Sequence, residues 1–161
     1  MSARPDPVSP ANDQARALAR DLLGTGHAAL AWTDPQTHTP GISRIAFGPA
    51  PETGFLTLIS ALAPHYAALI SHPACAIMLG EPGPKGDPLT YPRLMLCASA
   101  SFVPPDAPDR PTLRAHWLTH HPKAQLYIDF ADFALVRLTP TSALLNAGFA
   151  RAYRLTPADL I

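Results

Sequence analysis

Short apolar runs alternate along this chain with polar, proline-rich segments, a pattern typical of strands. The strand candidates are residues 27–33, 41–47, 55–60, 74–79 and 93–103. Residues 133–139 and 142–146 also alternate, and Thr139-Pro140 between them predicts the turn of a final hairpin. The runs 43–47 and 56–60 are predicted to pair directly with each other.

Three segments have helical character. Residues 15–23 repeat apolar positions at helical spacing between Asn12 or Asp13, which can cap a helix, and Gly24, which can end one. Residues 64–71 begin with Pro64, whose missing N–H is harmless in a first turn, and residues 111–121 form an apolar stripe. Successive strands with packing helices predict a mainly β (α+β) fold, a small antiparallel barrel rather than a doubly wound parallel sheet.

Composition limits the kind of ligand. The 161 residues contain 20 prolines, and the proline-rich residues 1–10 predict a disordered arm before a single domain over 11–161. Lys plus Arg and Asp plus Glu are 12 each, so nothing in the charge favours nucleic acid or a membrane surface. The two cysteines, Cys75 and Cys97, lie in apolar runs and fit a cytoplasmic protein without disulfides.

One corner of the predicted fold suits a phosphate. Arg44 lies on a strand beside apolar Ile45 and Phe47, while Ser60 and His65 lie where the next strand runs into a helix. The start of a helix offers free N–H groups and a partial positive charge. An apolar wall for a ring system, with a basic side chain and exposed amides, matches the needs of flavin mononucleotide (FMN). A solvent-facing arginine beside an ordinary helix cap is the alternative interpretation.

Three further groups are interpreted structurally. His116 and His120 stand one helical turn apart, with His121 beside them, yet no nearby cysteine or carboxylate completes a metal site, so no metal ligand is predicted. The run 127–133 alternates acidic and aromatic residues, and it is interpreted as a strand with its aromatic side chains toward the core and its acidic side chains toward solvent. The two cysteines are expected to be buried and unreactive.

Six ordered segments together resemble one family. They are Ala28–Ala31, Ser43–Phe47, Leu58–His65, Asp87–Leu89 with Pro92–Leu94, Tyr127–Phe133 and Gly148–Tyr153. The chain is similar here to the split-barrel, FMN-binding proteins related to pyridoxamine 5′-phosphate oxidase, and above all to their haem-utilisation-like branch. The resemblance implies a six-stranded split barrel and a homodimer with FMN in clefts at the dimer interface.

The resemblance also implies roles for individual residues. Arg44, Ile45 and Ala46 would line the isoalloxazine and the phosphate side, while Ile59, Ser60, Ala63 and His65 would hold the ribityl phosphate. Arg93 would come from the opposite protomer, and Phe149 and Arg151 would close the cleft. Pro64 and His65 stand where the oxidases have more basic residues, so a modest affinity for FMN is expected.

The function that follows is an FMN-dependent oxidoreductase of unknown substrate, with no catalytic residue assigned. Direct electron or hydride transfer at a flavin needs no acid or base from the protein. Two alternatives stay open at this point: a haem-binding or haem-degrading protein on the same barrel, and a flavin-binding module without catalysis.

Overall fold

The computed structural model describes residues 6–160 apart from Thr53. The described strands are β1 (Val8–Pro10), β2 (His27–Thr33), β3 (Pro40–Ala46), β4 (Gly48–Pro49), β5 (Phe55–Ser60), β6 (Ala74–Leu79), β7 (Arg93–Phe102), β8 (Phe133–Asn146) and β9 (Ala152–Leu155). The α-helices are α1 (Asp13–Leu23), α2 (Pro64–Ser71) and α3 (Arg110–His120). Short 3-10 helices span Pro88–Thr90, Pro122–Leu126 and Pro157–Leu160.

Six of these strands form the barrel. They follow one another in the order β3, β2, β6, β7, β8 and β5, and each neighbouring pair is antiparallel. Among the described residues β3 and β5 form no backbone ladder with each other. They are linked by a hydrogen bond of 2.7 Å from Thr57 Oγ1 to the Ala46 carbonyl oxygen, and the short strand β4, which follows β3, pairs with the start of β5. The predicted six-stranded antiparallel split barrel is therefore confirmed. The predicted direct pairing of 43–47 with 56–60 is wrong, because β5 pairs with β8 along one edge and only with the two residues of β4 along the other, which leaves the split between β3 and β5.

Two apolar clusters hold the barrel together. Inward-facing side chains such as Leu30, Ile77 and Leu96, none of them accessible to solvent, fill the interior, and α1 and α2 pack against it. A second cluster behind β5 and β8 contains Trp117 of α3 together with Ile128. Removing this apolar surface from water is the main force that keeps the helices on the sheet.

β8 is one continuous strand and not the predicted hairpin. Pro140 lies opposite Ala98 at the point where the β7–β8 register shifts between Cys97 and Ala98. A proline has no N–H to donate, and a bulge is one of the places where a strand tolerates it. The first half of β8 pairs with β5 and its last four residues pair with β9.

Local end signals of the helices agree with the structure. Asn12 caps α1 by accepting a hydrogen bond of 2.8 Å from the N–H of Ala15, and Gly24 follows its last residue.

At the N-terminus β1 pairs in parallel with β9, so the predicted disordered arm does not extend over Val8–Pro10; residues 1–5 of that arm lie outside the described residues. None of the described helices is long and apolar enough to cross a membrane.

Candidate functional site

A shallow apolar cleft of about 440 Å³ lies on the outer face of the barrel. Its centre is formed by Ile42, Met78, Met95 and Leu144, from β3, β6, β7 and β8. Ile42 is 77% exposed, Met78 50% and Met95 42%. We call this surface the apolar cleft. Contiguous exposed apolar surface of this kind typically marks a ligand or protein interface.

Strand register explains why the cleft is apolar and where its charges lie. Arg44 lies opposite Ala29, Ala29 opposite Met78, and Met78 opposite Met95. Residues opposite each other in an antiparallel pair face the same side, so this row faces outward. Arg93 lies on β7, three strands away from Arg44, a separation of about 14 Å at the usual strand spacing. The cleft therefore has an arginine toward each side and apolar side chains between them.

Arg44 is available for an anion. Its side chain is 78% exposed, and the nearest acid is Glu81, with 3.8 Å between Arg44 Nη2 and Glu81 Oε1. An exposed ion pair at this distance restrains the guanidinium weakly. Because β3 and β5 run in opposite directions and Ala46 lies against Thr57, Arg44 stands at the level of the end of β5.

The predicted neighbours of Arg44 divide between the surface and the core. The side chains of Ile45 and Ile59 are 6% and 2% exposed and pack inside the barrel, so only their backbone atoms can line a ligand. Ala46 packs toward the cluster beneath α3, and Ala63 is the residue that precedes α2. Of the predicted residues near the split, Arg44 and Ser60 carry polar side chains toward the surface.

We call the segment Ser60–His65 at the start of α2, together with Arg44, the anion corner. Its backbone donors are largely in use. The N–H of Ala61 donates to the Asp132 carbonyl oxygen (2.6 Å), the N–H of Leu62 to Ser60 Oγ (3.2 Å) and the N–H of Ala63 to the Ser60 carbonyl oxygen (3.0 Å). The Ser60 hydroxyl itself donates to Asp132 Oδ2 at 3.0 Å. The corner thus forms its own hydrogen bonds before any ligand arrives.

His65, in the first turn of α2, is not a free cation. It is 8% exposed, its Nδ1 has no partner among the described residues, and burial lowers its pKa below the usual value. It is therefore neutral at neutral pH. Ala63 cannot cap α2 with its side chain, so the helix start keeps its partial positive charge without a side-chain oxygen against it.

The remaining predicted residues lie on the β7–β8 side. Arg93 Nη1 donates to the carbonyl oxygens of Leu89 (3.0 Å) and Tyr91 (3.4 Å). Arg151 Nη2 donates to the Ala147 carbonyl oxygen at 2.9 Å, and Phe149 is 87% exposed in the turn before β9. Within one chain these three residues do not join the anion corner.

Other candidate groups have structural explanations. His121 stacks on Trp117, with 4.0 Å between ring centroids, and its Nε2 lies 3.0 Å from the Phe47 carbonyl oxygen. Cys75 Sγ bonds the Ala98 carbonyl oxygen, and burial raises the pKa of that thiol to about 11, which agrees with the expected unreactive cysteine. Residues 127–132 form turns rather than the strand of the sequence interpretation, which places Asp132 beside Ser60.

The sequence interpretation missed Asp132 as a residue of the corner. Its partner Ser60 is 72 positions away in the sequence, and the alternation of acids and aromatics suggested a simple wet face. The usable signal was the position of Asp132 directly before a strand that could pair with β5.

The chain matches no family model. A curated relative, the chloroplastic non-canonical haem oxygenase HOZ of Arabidopsis thaliana, is 26% identical over 114 residues, which are 71% of this chain and 34% of that protein. The chain thus spans about a third of the curated relative. A solved structure of a chain of similar length is 39% identical, with a TM-score of 0.82, and the match covers 94% of this chain and 97% of the other.

Two solved structures of lower identity share the fold. The haem-binding protein from Mycobacterium smegmatis is 23% identical with a TM-score of 0.78, covering 98% of this chain and 61% of that one. A protein from Clostridium acetobutylicum related to general stress protein 26, of the pyridoxinephosphate oxidase family, is 12% identical with a TM-score of 0.69, covering 94% of this chain and all of the other.

Proposed function

Because the chain belongs to the split-barrel family related to pyridoxamine 5′-phosphate oxidase, in its haem-utilisation-like branch, we propose that it binds FMN in the apolar cleft as a homodimer. The single observation that carries the proposal is the apolar cleft itself, with Arg44 beside it at the end of β5. A planar ring system needs an apolar surface, and its phosphate needs a cation and helix N–H groups nearby.

The residues present fit the ring of FMN, and they supply some of the contacts that its phosphate needs. Met78, Met95 and Ile42 offer the ring an apolar surface, and Arg44 offers the phosphate a guanidinium. The uncapped start of α2 adds a partial positive charge. Ser60 and Ala63 reach the phosphate after a rearrangement of their own hydrogen bonds, and His65 contributes as a neutral imidazole.

The homodimer supplies what one chain lacks. Arg93 of the same chain lines the far side of the cleft, about 14 Å from Arg44 across the strands, and so does not reach the anion corner. In the proposed dimer a second copy packed on the apolar cleft would bring its own Arg93 toward the first copy's FMN. Phe149 and Arg151 of the second copy would then cover the outer side of the cleft. Exposed Met78 and Ile42 would become buried, which provides the apolar contact that a stable dimer needs.

FMN bound here would supply one- or two-electron redox chemistry. The chain's own residues would hold the phosphate (Arg44, Ser60), orient the ring (Met78, Met95) and exclude water from one of its faces. Cys75 is not available as a nucleophile, because burial raises the pKa of its thiol to about 11. The proposal is therefore a cytoplasmic oxidoreductase in which the cofactor carries the reaction, its substrate being open.

Haem is a second candidate, favoured by a separate observation. Met78 and Met95 lie directly opposite each other on β6 and β7, in the middle of the cleft. A methionine thioether is an iron ligand in haem proteins, and arginines beside the cleft can pair with propionates. The relatives named for haem chemistry or haem binding support this candidate as well.

Absorbance of the purified chain tests the two cofactors. FMN binding is expected to give a band near about 450 nm, with FMN released on denaturation. Haemin added to the same sample is expected to compete with FMN for the cleft. The double variant M78L/M95L is expected to alter the haemin spectrum and to change FMN affinity only slightly, because leucine keeps the apolar surface of the cleft while removing the sulfur. A protein that binds neither added FMN nor haemin would contradict the proposal.

Turnover separates an enzyme from a flavin-binding module. An FMN-loaded protein that oxidises a reduced nicotinamide in the presence of an acceptor is an oxidoreductase. A protein that retains FMN and shows no turnover with any donor is the non-catalytic module that the sequence left open.

A further inference from the structure

The hydroxyl group of Ser60 already donates a hydrogen bond to a carboxylate. Ser60 Oγ donates to Asp132 Oδ2 at 3.0 Å, and its oxygen in turn accepts the N–H of Leu62. A phosphate at the anion corner would need the same hydroxyl hydrogen. The carboxylate of Asp132 and a phosphate therefore compete for one donor.

Asp132 is fixed in this position by the backbone. Its carbonyl oxygen accepts the N–H of Ala61 at 2.6 Å, and the next residue, Phe133, lies opposite Ser60 in the β5–β8 ladder. The side chain of Asp132 is half-buried, and no arginine or lysine of the described residues forms an ion pair with it. A partly desolvated negative charge without a cationic partner repels a second anion over several ångströms.

The other side chains of the corner do not neutralise Asp132. His65 is neutral because burial lowers its pKa, and the Nδ1 of His65 has no partner within the described part of the chain. Arg44 instead has Glu81 as its nearest acid. One carboxylate thus stands beside the uncapped start of α2, where the proposed function places a phosphate.

Resting on that proposed function, we propose that Asp132 sets the affinity of the anion corner for a phosphate monoester. A phosphate binds only after the Ser60 hydroxyl turns away from Asp132, and it then lies near an unneutralised carboxylate. The phosphate of FMN consequently contributes less to binding than Arg44 and the helix start would otherwise give it. A flavin without a phosphate meets no such cost.

The test compares FMN with riboflavin, which has the same ring and no phosphate. In D132N the side chain keeps its size and loses its charge, so FMN is expected to bind about ten-fold more tightly, while riboflavin affinity changes by less than about two-fold. Dissociation constants are measured by quenching of flavin fluorescence. The matched control is D129N, because Asp129 lies in the same turn and is paired with Arg114 (2.6 Å from Nη2 to Oδ2).

The outcomes separate this inference from the function it rests on. If wild-type protein prefers FMN over riboflavin and D132N keeps the same preference, Asp132 has no such role and the inference is overturned alone. If wild-type protein and both variants bind FMN and riboflavin equally, or bind neither, the phosphate is not held at this corner and the proposed site falls as well.

A second variant protects the test from a folding defect. D132S is also uncharged and is smaller, so it is expected to strengthen FMN binding with the same sign. Thermal unfolding of each variant establishes that the folded protein is being titrated. Stronger FMN binding by D132N together with unchanged FMN binding by D132S and D129N would mean that the amide makes a new contact, which also overturns the inference.

Discussion

The apolar cleft and the anion corner lie on the same barrel but differ in how ready they are for a ligand. In the cleft, Met78 and Met95 are about half exposed and would lose little by being covered. In the corner, Ser60, Ala61 and Leu62 have hydrogen bonds that a ligand would first have to break. The cleft can therefore take up a ring without changing its own contacts, whereas a phosphate can bind at the corner only after existing hydrogen bonds have broken.

A charge placed in the apolar cleft is expected to have the largest effect, because it disrupts the region that is ready for a ligand. M78K puts an ammonium on the apolar surface, and we expect dimer dissociation to become about 100-fold easier and flavin binding to be lost with it. Analytical ultracentrifugation and flavin titration measure the two effects. The control is L126K, because Leu126 is 78% exposed and lies outside the cleft. A dimeric, flavin-binding M78K protein would show that the cleft is not the interface.

Removing the main cation of the corner should have a smaller effect. In R44A we expect FMN affinity to fall by about ten- to thirty-fold, because one charge-assisted contact to the phosphate is lost. Riboflavin affinity should stay the same, and R20A, at the exposed end of α1, serves as the matched control. Equal loss for FMN and riboflavin would place Arg44 against the ring rather than the phosphate.

The hydrogen bond that links β3 and β5 at the split can be tested through the free energy of unfolding. Thr57 is fully buried, and in T57V the Ala46 carbonyl oxygen loses its donor, so we expect the free energy of unfolding to fall by about 1–2 kcal/mol. Urea denaturation measures this change. T139V, at an exposed position of β8, should change it by less than about 0.5 kcal/mol. An unaffected T57V protein would mean that the β4–β5 pairing and side-chain packing hold this edge of the barrel without the Thr57 hydrogen bond.

The smallest expected effect concerns pH. Burial lowers the pKa of His65 in the folded state, so on acidification the unfolded state takes up a proton before the folded state does. Stability is therefore complete above the usual histidine pKa of about 6.5 and decreases as the pH falls below it. His121 acts in the same direction. Urea midpoints at about pH 7.5 and about pH 5.5 should differ less in H65Q than in wild type; an equal difference would exclude His65 as the cause.

Local signals were sufficient for much of the fold. The cap at Asn12, the stop at Gly24 and Pro64 at the start of α2 act within one or two helical turns, and the structure has each of them where the sequence places it. The strand pattern and the ordered segments of the family were sufficient for the split barrel. These features depend on residues close together in the chain or on a pattern spread over all of it.

Features that depend on distant partners were not predictable. Pro140 looked like a turn because nothing near it reveals the bulge at Cys97 and Ala98 on the facing strand. Val8–Pro10 looked disordered because its partner, β9, is more than 140 residues away. In the site, Arg44 and Ser60 were found from sequence, whereas the bond between Ser60 and Asp132 exists only once β5 and β8 have paired.

The continuous strand β8 has a consequence for the order of folding. Its 14 residues pair with β7 along nearly their whole length, and they also receive β5 at one end and β9 at the other. The partner of β5 is therefore a strand more than 70 positions later in the sequence, and forming such a non-local pair is slow. We expect closure of the barrel at Thr57 to be a late event, so a change there should speed unfolding more than it slows folding.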